Sequence, residues 1–137
     1  MRVVVADASA LLELLLGTER GAAVAAIVSE PAVDLHVPSL CDVEVVSGLR
    51  RLVLRHLVTP RRAGDALGDY GDLPLVRHGH QALLPRIFEL RRNLSAYDAA
   101  YVALAERLGA GLLTGDASLA RAVGRHTRVV ASPLSLC

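Results

Sequence analysis

Four acidic residues stand where the chain passes from an apolar run into a helical one, and their types and placement suit a hard cation. Asp7 closes a β-branched run at the start of the chain, and Asp116 follows Leu112-Leu113-Thr114 within two residues. Asp98 lies three residues after Ser95, at the opening of a helical stretch, and Glu44 lies one turn into another. Each has an ordinary structural use: Asp7 and Asp116 as N-caps, Asp98 as the acidic member of a capping box, Glu44 on a solvated helix face. Capping, however, asks only that each acid serve its own helix. Four acids gathered in one place repel one another by several kcal/mol at low dielectric unless a cation offsets them. Mg²⁺ or Mn²⁺ takes carboxylate oxygens while keeping some of its waters, and no cluster of His or Cys competes for a softer metal. Helix N-termini would help to keep the aspartates ionised.

The elements that would gather them can be read from periodicity and punctuation. Arg2 to Ala6 reads as a strand, and the leucines from Leu11 to Leu16 continue as a helix up to Gly17. A helix from Glu19 to Ser29 is stopped by Pro31, and Leu35-His36-Val37 forms a strand closed by Pro38. Helices follow over about Leu40 to His56 and Pro60 to Tyr70, then a strand over Leu73 to Arg77 and a helix over Gln81 to Arg92. Ser95 opens a helix reaching Leu108, Gly109 and Gly111 punctuate its end, and Leu112 to Thr114 is a strand. A helix over Leu119 to Val123 and a strand over Arg128 to Val130 complete the chain. Five apolar strands separated by helices, without hairpin signals, predict a five-stranded parallel sheet with helices on both faces, in one domain over residues 1–137. Ligands of such sheets bind outside the carboxyl ends of the strands, which is where all four acids fall.

Composition narrows the class. Of 137 residues 53% are hydrophobic but only 3% aromatic, with no Trp, so the core must be aliphatic. The apolar stretch Ala10 to Leu16 is interrupted by Glu13 and falls far short of the roughly 20 residues of a membrane helix. The N-terminus has no apolar region leading to a cleavage site, so a cytoplasmic protein without a membrane span is expected. Cys41 and Cys137 form neither a disulfide framework nor a metal motif and read as reduced bystanders. The net charge is +1, and all 15 basic residues are Arg; coding bias explains that usage as readily as phosphate recognition does.

With these residues in view, the chain resembles the PIN-domain ribonucleases, most closely the VapC-type toxins of bacterial toxin–antitoxin pairs. The resemblance runs through Val4-Val5-Ala6-Asp7-Ala8-Ser9-Ala10, Val37-Pro38-Ser39-Leu40 leading to Glu44, Leu94-Ser95-Ala96-Tyr97-Asp98 with the helix after it, and Leu113-Thr114-Gly115-Asp116. It implies a PIN-like three-layer fold, an acidic site binding Mg²⁺ or Mn²⁺, and endonucleolytic cleavage of RNA. It also implies a homodimer neutralised by a cognate VapB-type antitoxin. Asp7, Glu44, Asp98 and Asp116 occupy the four acidic positions of the pattern, and Ser9 and Thr114 match hydroxyl positions that support the site. Many relatives carry a further acid shortly after the fourth, where this chain has Ala117, Ser118 and Leu119.

The mechanism expected on that basis makes Asp7 and Asp98 the most direct metal ligands, with Asp116 completing the set. The metal would activate a water and polarise the phosphate, and Glu44 would orient or deprotonate the attacking water. Arg51, two helical turns from Glu44, and Arg91 and Arg92, just before the Asp98 helix, are candidate RNA contacts; solvated helix surface is their ordinary alternative. His78-Gly79-His80 reads as a surface turn, and Tyr97 and Tyr101 as base-stacking residues or, more ordinarily, packed rings with anchored hydroxyls. Asp65, Asp69 and Asp72 read as solvated.

Two other functions compete. A phosphoryl-accepting aspartate fits poorly, since Ser9 stands where phosphoaspartyl hydrolases place a second Asp, and the late Lys of a receiver is missing. A catalytically inactive PIN-fold module that binds RNA or protein would have little reason to retain all four acids. An upstream reading frame encoding a DNA-binding segment would favour the toxin.

Overall fold

The computed structural model describes residues 2–133. Five parallel strands, β1 (Arg2–Ala6), β2 (Val33–Pro38), β3 (Leu75–His78), β4 (Gly111–Thr114) and β5 (Ala131–Pro133), form one sheet in the order β3-β2-β1-β4-β5. The order reverses at β1, whose neighbours on the two sides are β2, with Val5 beside His36, and β4, with Val5 beside Leu112. That switch point opens a crevice at the carboxyl ends of β1 and β4.

Seven helices connect the strands: α1 (Ala8–Leu15), α2 (Glu19–Val28), α3 (Leu40–Leu54), α4 (Pro60–Asp72), α5 (Leu84–Glu89), α6 (Ala96–Leu108) and α7 (Ala117–His126). Successive residues of β1, Val4, Val5 and Ala6, are all buried, as are Leu112, Leu113 and Thr114 of β4. Side chains alternate across a strand, so unbroken burial means that both faces are covered. Helices α1 to α4 pack among themselves, while α6 lies across β1, β2 and β4 with α5 beside it. The right-handed rule for parallel crossovers puts these groups on opposite faces. Helix α6 is buried without a break from Ala99 to Ala105, and its small side chains let it lie close to the sheet.

Two expected elements are displaced. The stretch Gln81 to Arg92 is not one helix: a 3₁₀ turn over Gln81–Leu83 precedes α5, which ends at Glu89. Pro85 has no N–H to bond the carbonyl of Gln81, and that carbonyl is instead met by the N–H of Leu84 in the tighter geometry. The last strand is Ala131–Pro133 rather than Arg128 to Val130. After α7 the chain first closes on itself, the Thr127 hydroxyl donating to the Val123 carbonyl and accepting from Val129 N–H. Pairing begins only when the Val130 carbonyl takes the Leu112 N–H at 3.0 Å.

Candidate active site

Asp7 is both cap and site residue. It is the N-cap of α1, with Oδ1 accepting from Ala10 N–H at 3.0 Å, and it is only 5% exposed. Oδ1 also accepts from the Ser9 hydroxyl at 2.6 Å, and Oδ2 accepts from the Thr114 hydroxyl at the end of β4. The two hydroxyls are themselves tied to the neighbouring loop. Ser9 Oγ accepts from Gly115 N–H at 2.8 Å, and Thr114 Oγ1 from Asp116 N–H at 3.0 Å. Gly115 permits this approach, because a Cβ there would stand 3.1 Å from Ser9 Oγ. From α2, Arg20 donates to the Gly115 carbonyl at 2.5 Å, so the loop that carries Asp116 is held on both sides. Asp116 in turn caps α7, accepting from Leu119 N–H at 3.0 Å, with its side chain facing solvent.

Asp98 enters from the opposite face, on the first turn of α6, where its own N–H is capped by Ser95 Oγ at 3.1 Å. Glu44 comes from α3 and accepts from the Tyr101 hydroxyl at 2.6 Å, Tyr101 being almost fully buried one turn beyond Asp98. These residues line a pocket of about 190 Å³. Asp7, Glu44, Asp98 and Asp116 are joined there by Ser9, Ser47, Tyr101 and Arg51, whose guanidinium also donates to Ser47 Oγ at 3.2 Å.

Burial first, and neighbouring like charges after it, shape the electrostatics of the site. Burial pushes the Asp7 carboxyl above its ordinary range, and the charge of Asp116 adds to this, while the bonds from Ser9, Thr114 and Ala10 oppose it. Burial likewise raises Asp98, reinforced by Asp116 and Asp7. Glu44 is raised by burial and by Asp98 and Asp7, against the Tyr101 hydroxyl and Arg51. The polar side-chain atoms of the lining residues are oxygens, Arg51 apart, which is the donor set of a hard divalent cation. Among the described residues no three such groups already close to ligand distance around one point.

Other expected features fall elsewhere. Arg91 and Arg92 do not line the pocket; the Arg91 guanidinium lies 4.4 Å from the Phe88 ring centroid and donates to the Phe88 carbonyl. The His78-Gly79-His80 segment is not simply a surface turn. His78 Nε2 lies 2.8 Å from His36 Nδ1 with the rings stacked, and His80 Nε2 accepts from Leu40 N–H at 3.0 Å, capping α3 where Ser39 does not. Burial, His36 and Arg107 hold the His78 imidazole below its usual value. Tyr97 is exposed, whereas Tyr101 has the anchored hydroxyl. Asp65, Asp69 and Asp72 are exposed, Cys41 is a buried free thiol, and Cys137 lies outside the described residues. Sequence reasoning missed Tyr101 as the partner of Glu44 and Arg20 as the anchor of Gly115. The first had a signal, since Tyr101 lies three residues beyond Asp98 on one helical face; the second, a contact across 95 residues, had none.

Against known proteins, the PIN domain family matches residues 4–124. Ribonuclease VapC9 of Mycobacterium tuberculosis is 45% identical over 117 residues, covering 85% of this chain and 88% of that protein. Ribonuclease VapC12 of the same species is 37% identical over 127 residues, covering 93% and 97%. The crystal structure of VapBC2 from Rickettsia felis, bound to a DNA fragment from its promoter, superimposes with a TM-score of 0.69 at 10% identity, covering 97% of this chain and 99% of the other. At that identity the likeness speaks for the fold alone. The chain belongs to the PIN-domain family, within the group of VapC ribonucleases.

Proposed function

We propose that this protein is a metal-dependent endoribonuclease toxin, a single catalytic domain that works in the cytoplasm and is neutralised by a VapB-type antitoxin. What supports this is the convergence of Asp7, Glu44, Asp98 and Asp116 on one pocket whose polar side-chain atoms, Arg51 apart, are oxygens. The names of the VapC9 and VapC12 relatives supply the reaction class. Asp7, Asp98 and Asp116 would hold Mg²⁺ or Mn²⁺. When bound, the cation supplies compensation for their charge and Lewis-acid polarisation of the phosphodiester.

The chain's own side chains do the rest. Ser9 and Thr114 fix both oxygens of Asp7, so its orientation needs no rearrangement during the reaction. Tyr101 occupies one oxygen of Glu44 and leaves the other to accept a proton from the attacking water, a role its raised pKa suits. Arg51 would bind a substrate phosphate, and its place in the lining of the acidic pocket supports that role. A homodimer, and an antitoxin segment that covers the acidic pocket, complete the reading; no observation favours the catalytically inactive module.

The test is RNA cleavage with Mg²⁺ by Asp7→Asn and Asp98→Asn, checked for an unchanged fold by circular dichroism. Each is expected to lose at least about 100-fold in rate, the upper range for groups that only support a metal site. Undiminished cleavage by both would overturn the proposal.

A further inference from the structure

We propose a second ligand site, at the opposite edge of the sheet from the acids, that takes a nucleotide unit by its phosphate. A cavity of about 860 Å³ lies where α6 ends, β4 begins and the segment after α7 passes beneath them. Its floor is low for reasons of backbone. Gly109 ends α6 in the left-handed region at φ 61°, and Gly111 lies against the Val130 carbonyl, 3.3 Å from where a Cβ would be. With Ala105 and Ala110 beside them, no large side chain fills the space.

Two arginines of the rim have no partner among the described residues. On the Arg86 side the charges are closed, Arg86 meeting Glu106 through two bonds of 2.9 and 3.1 Å and Glu89 through a third. Arg125, His126 and Arg128, by contrast, make no ion pair or side-chain hydrogen bond among the described residues. Arg125 and His126 sit in the last turn of α7, where cations favour the helix dipole. That accounts for neither Arg128 nor the concavity that it and Arg125 line.

The wall names the ligand class. Two guanidiniums lining one cavity suit a phosphate. The carboxyl ends of α6 and α7 leave carbonyl acceptors at the same edge, which suit the hydroxyls and amino groups of a sugar and base. A bare anion would use only the first of these. The volume lies within the roughly 300–1,000 Å³ of small-molecule sites. The nucleotide has two possible sources, a free mononucleotide or an RNA strand running past the molecule. Only the second rests on the ribonuclease reading.

Binding of adenosine 5′-monophosphate and of inorganic phosphate to the whole chain is measured by calorimetry, and binding of a 20-nucleotide RNA by anisotropy on the Asp98→Asn background. The variants are Arg125→Ala/Arg128→Ala and, to retain charge, Arg125→Lys/Arg128→Lys. Both arginines are exposed, and melting temperature checks the fold. A mononucleotide held more tightly than phosphate and lost at least tenfold in the alanine pair, less in the lysine pair, supports a free-nucleotide site. If only the RNA weakens tenfold, its salt slope falling by about 1.4 for two lost single-strand phosphate contacts, the strand is the source. The proposal is overturned if neither ligand weakens in the alanine pair, if phosphate binds as well as the mononucleotide, or if mononucleotide binding is lost in Asp98→Asn instead. Should Asp98→Asn cleave RNA normally, the ribonuclease reading falls while the mononucleotide arm still decides this site.

Discussion

Asp98 shows how a residue can weaken the fold it belongs to. Its carboxyl is raised by burial first and by the charges of Asp116 and Asp7 after that. A group whose folded pKa exceeds its unfolded value stabilises the fold below the unfolded value, and that stability is lost as pH rises through the folded one. Ionised Asp98 therefore destabilises the metal-free protein at neutral pH. Asp98→Asn removes the charge, so it should melt above the parent in chelator at pH 7. The difference should close below about pH 3, under the ordinary Asp value of about 3.9, where both states are protonated alike. A gap unchanged across that range in scanning calorimetry would show the charge to be irrelevant. Asp7 is raised in the same way, but its bonds to Ser9, Thr114 and Ala10 make its loss structural as well.

At the scale of elements, the site depends on how closely α2 can approach α1. A Cβ on Gly21 would stand 2.1 Å from the Glu13 carbonyl oxygen, a backbone atom that cannot swing aside. Arg20, the preceding residue, is the one that reaches the Gly115 carbonyl. Gly21→Ala is expected to destabilise by about 1–3 kcal/mol, as overpacking does, and to lower activity by releasing the Asp116 loop. Gly68 in α4 is the control, since nothing lies within 4 Å of its Cβ position. Gly68→Ala should stabilise by about 0.5–1 kcal/mol through helix propensity. Urea denaturation of the two variants gives the signs directly, and equal signs would refute the packing argument.

For the molecule as a whole, the proposed cation site predicts that stability follows the cation concentration. A cation bound by the folded chain alone stabilises by about 2.7 kcal/mol at a hundredfold excess over its Kd, which is several degrees in Tm. Mg²⁺ or Mn²⁺ should therefore raise the Tm of the parent and leave Asp7→Asn almost unmoved at the same concentration. An equal rise in both would locate the cation elsewhere.

What the sequence determined was local. Val3 to Val5 form a strand because they are β-branched and apolar, and Asp7, Ser95 and Asp116 start helices because short polar side chains cap free N–H groups. The parallel sheet follows from strands alternating with helices, and the acids at its edge follow from where those caps fall. What only the tertiary structure decided spans long separations. Thr114 meets Asp7 across 107 residues, Gly115 meets Ser9 across 106, and Tyr101 meets Glu44 across 57. Helical periodicity fixes which face a residue is on, but strand order and helix packing fix what that face meets. For the same reason His80 caps a helix 40 residues before it, and Arg91 stacks on Phe88 instead of rimming the pocket. The last strand starts three residues late because its first bond depends on reaching Leu112, not on its own β propensity.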